Sequence, residues 1–110
     1  MSNEILTGTA ARRIRSRHSN KGAETELRIC ADLISRGWEI FRAVSPATSC
    51  DLVGRTPRGQ LVRIECTSVD RPAPTRCPHF HAHNAANYDL ICGAERNTGE
   101  LFYKIDPDTL

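Results

Sequence analysis

Three carboxylates in this chain have the residue type and spacing for metal-assisted chemistry: Glu26, Asp51 and Glu65. Asp51 opens a short apolar run. Glu65 lies inside an alternating one, with Val62, Ile64 and Cys66 on one side and Arg63, Glu65 and Thr67 on the other. Between the two runs, Thr56-Pro57-Arg58-Gly59 has the chemistry of a turn. Folded as a hairpin, segments 50–55 and 60–69 bring Asp51 and Glu65 side by side. Carboxylates that close repel one another, and a cation between them removes the cost. Mg²⁺ suits such a pair, with Mn²⁺ as a substitute, because it takes one or two protein carboxylates and keeps its waters and substrate phosphates. A cation held there activates water and stabilises charge on a scissile phosphate. Two solvated acids on an ordinary hairpin face have the same spacing, so both readings stay open.

The run Cys77-x-His79-x-His81-x-His83 is the other chemically suggestive feature. Extended, it turns three imidazoles the same way, which suits Zn²⁺. It lacks a second Cys/His cluster to close a structural site, and prolines flank it. A surface loop ranks first, a phosphate contact second and a zinc site third. A histidine here is also a candidate general base.

Charge is unevenly placed. The chain of 110 residues carries a net +2, and Arg12, Arg13, Arg15, Arg17 and Lys21 alone contribute five positive charges, which leaves −3 for the rest. A basic arm over 1–20 ahead of a slightly acidic domain over 21–110 suits a polyanion, most often nucleic acid; a solvated terminus is the plainer alternative. The five cysteines are odd in number and form no CxxC pair, which argues for reduced thiols and a reducing, cytoplasmic setting. No apolar run approaches the roughly 20 residues that span a bilayer, so no membrane partner is expected.

The elements that must position these residues read as follows. A helix is expected over 22–36, with Leu27, Cys30, Ala31 and Ile34 as its buried stripe, Ser19 or Asn20 as its cap and Gly37 as its stop. On this helix Glu26 has Ala23, Cys30 and Leu33 as same-face neighbours and so borders apolar surface. Strands are expected over 38–44, 50–55, 60–69, 88–93 and 101–105, with a loop or short helix before the fourth. The order α-β-β-β-(α)-β-β makes an α/β domain around a mixed sheet of about five strands flanked by helices.

Taken together, Gly22-Ala23-Glu24-Thr25-Glu26-Leu27, Ala31-Asp32-Leu33 and Gly37, then Cys50-Asp51-Leu52-Val53, Glu65-Cys66-Thr67, Tyr88-Asp89-Leu90-Ile91 and Gly99-Glu100-Leu101-Phe102-Tyr103, resemble the PD-(D/E)XK endonucleases. The likeness is to the small subgroup of group I intron homing endonucleases and archaeal Holliday-junction resolvases. It implies a restriction-endonuclease-like core and Mg²⁺-dependent hydrolysis of double-stranded or branched DNA. It further implies that Asp51 and Glu65 ligate the metal and that Glu26 supports the site from the helix. The sequence departs from the family at one place: Thr67 stands where the motif lysine belongs. A hydroxyl supplies no positive charge, so Arg63, Lys21 or Lys104 would have to replace it, or the fold survives as a catalytically silent module that binds DNA or a protein. A domain this small is expected to act on two strands as a homodimer.

Overall fold

The computed structural model describes residues 6–45, 48–70, 78–80 and 85–110, with side chains from Asn20 onward. Helix α1 (Leu6–Ser35) is followed by strands β1 (Glu39–Arg42), β2 (Leu52–Arg55), β3 (Leu61–Asp70), β4 (His79–Phe80), β5 (Leu90–Glu95) and β6 (Leu101–Tyr103). Short 3₁₀ turns lie at Ala85–Asn87 and Pro107–Thr109. The sheet runs β1-β2-β3-β5-β6, and β4 adds a short antiparallel rung to the far end of β3. Only β3 and β5 pair in parallel among the described strands. The expected mixed α/β architecture is therefore present, with a sixth, two-residue strand and a 3₁₀ turn where a second short helix was expected.

Helix α1 departs from expectation in length and in rotation. It runs without a break through residues 19 and 20, so Ser19 and Asn20 are interior positions rather than caps. Its buried face is Ile29, Cys30 and Leu33, while Leu27 and Ile34 are more than half exposed. Both stripes satisfy a 3.6-residue period, and tertiary contact selects the one that also carries Glu26. The stop at Gly37 is as read. Gly37 has φ +91°, its amide donates to Ile34 O at 2.9 Å, and the Trp38 amide donates to Leu33 O at 3.1 Å. This is a Schellman ending, in which glycine takes the left-handed position at no steric cost.

The core forms between that helix face and the sheet. Ile29, Cys30 and Leu33 pack with Trp38, Leu52, Val62, Ile64, Leu90 and Cys92. Each large aliphatic side chain fully buried here stabilises the fold by about 1.5–3 kcal/mol. The C-terminal end of α1 is also fixed by polar contacts. Tyr103 Oη donates to Asp32 Oδ2, Arg36 bridges Asp32 and Asp108 at 3.0 Å each, and the guanidinium lies 5.4 Å from the centre of the Tyr103 ring. Held at this end, α1 carries Glu26 about 10 Å back along its axis from Leu33.

The β2–β3 hairpin has the expected turn and a register pairing Leu52 with Ile64 and Gly54 with Val62. The ladder ends at Leu52–Ile64, and the Asp51 amide donates to Ile64 O at 3.1 Å, so Asp51 lies just past the paired register.

Candidate functional site

Strand β2 ends at Leu52, but β3 continues. The first β3 amide left without a β2 partner on that side is Cys66, and the Asp51 carboxylate takes it: Cys66 N donates to Asp51 Oδ2 at 2.8 Å. The other Asp51 oxygen makes no hydrogen bond among the described residues. Asp51 borders a pocket of about 650 Å³, which is also lined by Lys21, Glu26, Cys66, Thr67, Ser68 and Arg96.

Glu26 reaches this pocket from α1 and is clamped. Arg42 Nε and Nη2 each lie 3.0 Å from Glu26 Oε1. A guanidinium on one oxygen fixes the side chain and neutralises part of its charge. The Cys66 thiol on the pocket wall is neutral, because contact with Cys92 and burial both push its ionisation far up. Burial raises the Cys30 thiol as well. These sulfurs are packing groups rather than nucleophiles.

Glu65, next to Cys66 on β3, is not among the residues that line the pocket. Alternation does not run cleanly through this part of β3: residues 65–68 are all half-buried, and Cys66, Thr67 and Ser68 in succession line the pocket. Among the described residues, no three His, Cys, Asp or Glu side chains converge as a ligand set. Of the three expected acids, Glu26 and Asp51 line the pocket and Glu65 does not.

Arg63 is not the replacement cation. Its Nε and Nη2 hold the two Asp89 oxygens at 3.1 and 2.8 Å, its Nη1 donates to Ala86 O at 2.9 Å, and its amide also binds Asp89. It ties β3 to the start of β5. The Arg63 guanidinium, then its amide, lower the Asp89 carboxyl to about 2. Because this lies below the ordinary 3.8, the pair's contribution to stability is complete above that value and disappears as pH falls through about 2. An NMR titration of Asp89 should show a midpoint near 2, and in Arg63→Ala a return toward 3.8.

Lys104 is excluded by place: its amide bonds Ile91 O near the start of β5, and the pocket lies at the opposite, C-terminal end. Lys21 does line the pocket, with a 3.5 Å ion pair to Glu24. Arg96, absent from the sequence reading, lines it too. The signal for Arg96 was topological: β5 runs parallel to β3, so a residue just past β5 arrives beside the end of β3. Arg42 was missed because a strand arginine gives no hint of its helix partner. His79 is exposed on β4, opposite Asp70. Cys77, His81 and His83 lie outside the described residues, as do the side chains of Arg12, Arg13, Arg15 and Arg17.

No helix among the described residues is long and apolar enough to cross a membrane. No family model matches the sequence. No curated protein matches it either. The fold, however, is similar to a solved structure described as that of a bacterial homing endonuclease, I-Ssp6803I, with a TM-score of 0.60 over 83% of this chain and 70% of that one at 14% identity. At that identity the likeness is one of architecture: the chain has a homing-endonuclease-like fold.

Proposed function

We propose that this chain is a divalent-metal-dependent DNA endonuclease of the PD-(D/E)XK type, with its reaction centre at Asp51. The observation that carries the reading is that Asp51 shares its pocket with the acid Glu26 and the cation Lys21. The fold similarity to a homing endonuclease supports the same reading.

The donor set fits a hard cation. Asp51 offers one carboxylate and Glu26 a second at the same pocket. Mg²⁺ or Mn²⁺ bound there would supply an activated water and neutralise charge on the scissile phosphate. The protein's own residues do the rest. The Cys66 amide fixes the Asp51 carboxylate, and Arg42 fixes Glu26. Lys21 takes the part of the missing motif lysine, steadying negative charge on the phosphate oxygens. The basic arm (Arg12, Arg13, Arg15, Arg17) adds sequence-independent affinity through counterion release, and two chains would pair to cut two strands.

A second reading, a DNA-binding module without catalysis, is favoured by Thr67 at the lysine position and by Arg42 already seated on Glu26. Supercoiled plasmid separates them. Nicking that requires Mg²⁺ or Mn²⁺ and stops with chelator is the expected result. DNA retention that weakens with salt, with no nicking under either metal, would establish the silent module instead.

A further inference from the structure

Strands β3 and β5 run parallel and so finish at the same edge of the sheet, where α1 crosses them. Three cations from two distant parts of the chain collect there: Lys21 and Arg28 from α1, and Arg96 from just past β5. With Thr25 and Ser68 they line a hollow of about 130 Å³. Lys21, Thr25, Ser68 and Arg96 also line the larger pocket, so the two adjoin.

Both arginines are held by their surroundings. Arg28 Nη1 donates to Gly99 O at 3.1 Å, which ties it to the turn between β5 and β6. Arg96 Nη2 donates to Ser68 Oγ at 3.3 Å. The acids nearby are weak competitors. Glu24 is shared at 3.5 Å with Lys21 and 3.9 Å with Arg28, and Asp70 lies 3.3 Å from Arg96, all on exposed side chains. Glu95 also lines the hollow, but its Oε2 is engaged, accepting from the Asn97 amide and from the amide and hydroxyl of Thr98. Exposed ion pairs of this kind hold little free energy, whereas a phosphate gives arginine short, charge-assisted and often bidentate bonds.

We infer that Arg28 and Arg96 clamp a DNA phosphate adjoining the one over Asp51, with Thr25 and Ser68 as hydroxyl donors. The inference rests on the reading above for the identity of the ligand. It assigns this edge the job of setting the strand's register against the reaction centre.

The test is the salt dependence of duplex DNA binding, measured by fluorescence anisotropy in EDTA so that nothing is cleaved. Wild type is compared with Arg28→Gln, Arg96→Gln, the double variant and Arg58→Gln. Arg58 lies at the β2–β3 turn, where it bonds Thr109 O, and serves as an equal-charge control. Thermal melting confirms that each variant is folded. The double variant should flatten the log K against log[salt] slope by about 0.9, the share of one phosphate, and each single clamp variant by part of that. The double variant should also weaken binding at least tenfold, with Arg58→Gln unchanged. A double variant with the wild-type slope, or an Arg58→Gln that flattens it equally, overturns the clamp while leaving the nuclease reading intact. Wild-type protein that binds no DNA overturns both, whereas a flattened slope in a protein that never nicks plasmid upholds the clamp and removes only the catalytic reading.

Discussion

Asp51→Asn abolishes metal-dependent nicking while the protein stays folded, and Asp51→Ala abolishes nicking and loses stability as well. The pair of variants separates two jobs of one side chain. One oxygen accepts the Cys66 amide at 2.8 Å, a bond that asparagine's carbonyl oxygen can replace and alanine's methyl cannot. A part-buried amide left without an acceptor costs about 1–3 kcal/mol, so the alanine variant should melt earlier and the asparagine variant close to wild type. Asp51 also lines the pocket, and there the charge of its carboxylate is what matters. Replacing even a group that merely orients a metal ligand costs about 10- to 100-fold, so neutralising a ligand itself should lower the nicking rate by more than about 100-fold. Plasmid nicking rates under Mg²⁺, set beside thermal melts of both variants, give the answer. An asparagine variant that nicks at the wild-type rate would remove Asp51 from the chemistry.

The second large effect is on folding. Gly93→Ala should destabilise the domain by about 1–3 kcal/mol. Gly93 pairs with Thr67 in the parallel β3–β5 ladder, the longest register of the sheet. A Cβ at this position would stand 2.4 Å from the Thr67 carbonyl oxygen and 2.5 Å from Val69 Cγ2. The first neighbour is backbone at the middle of the sheet, so the strands themselves have to separate. Thermal melting should show a midpoint lower by roughly 5–20 °C. An unchanged midpoint would mean that β3 and β5 do not approach this closely. Because Thr67 borders the pocket, the same change should also reduce nicking measured well below the melting range.

Much of this arrangement was legible in the sequence, and what was not follows a physical pattern. The β2–β3 hairpin was readable because Val62, Ile64 and Cys66 alternate with polar residues around a proline-glycine turn, and that alternation allows one register. The helix stop at Gly37 was readable because its chemistry is local. The first half of α1 was not, since residues 6–20 are rich in Arg, Ser and Thr and show no apolar period that marks a helix. Nor was the buried face of α1. Leu27 and Ile34 mimic a core stripe as well as Ile29 and Leu33 do, and only the position of the sheet decides between them.

The site followed the same division. Spacing across a hairpin brought Asp51 to the β3 segment that carries Cys66, and helical spacing put Glu26 on the sheet-facing side of α1. Spacing could not tell which residues of β3 would line the pocket: Cys66, Thr67 and Ser68 do, and Glu65 does not. It could not reveal that Arg63 is committed to Asp89, a partner 26 residues away. Arg96 and Arg42 were invisible for the same reason: they reach the pocket only after parallel pairing and helix packing have been formed.

The account turns on whether Asp51 and its neighbours gather a divalent cation. Mn²⁺ titration followed by paramagnetic broadening in a ¹⁵N–¹H spectrum tests this directly, because the Cys66 amide is hydrogen-bonded to the proposed ligand. The amides of Cys66, Thr67 and Asp51 should broaden first, Glu26 soon after, and all should stay sharp in Asp51→Asn. Broadening that begins elsewhere in the fold, or that persists unchanged in Asp51→Asn, would contradict the account.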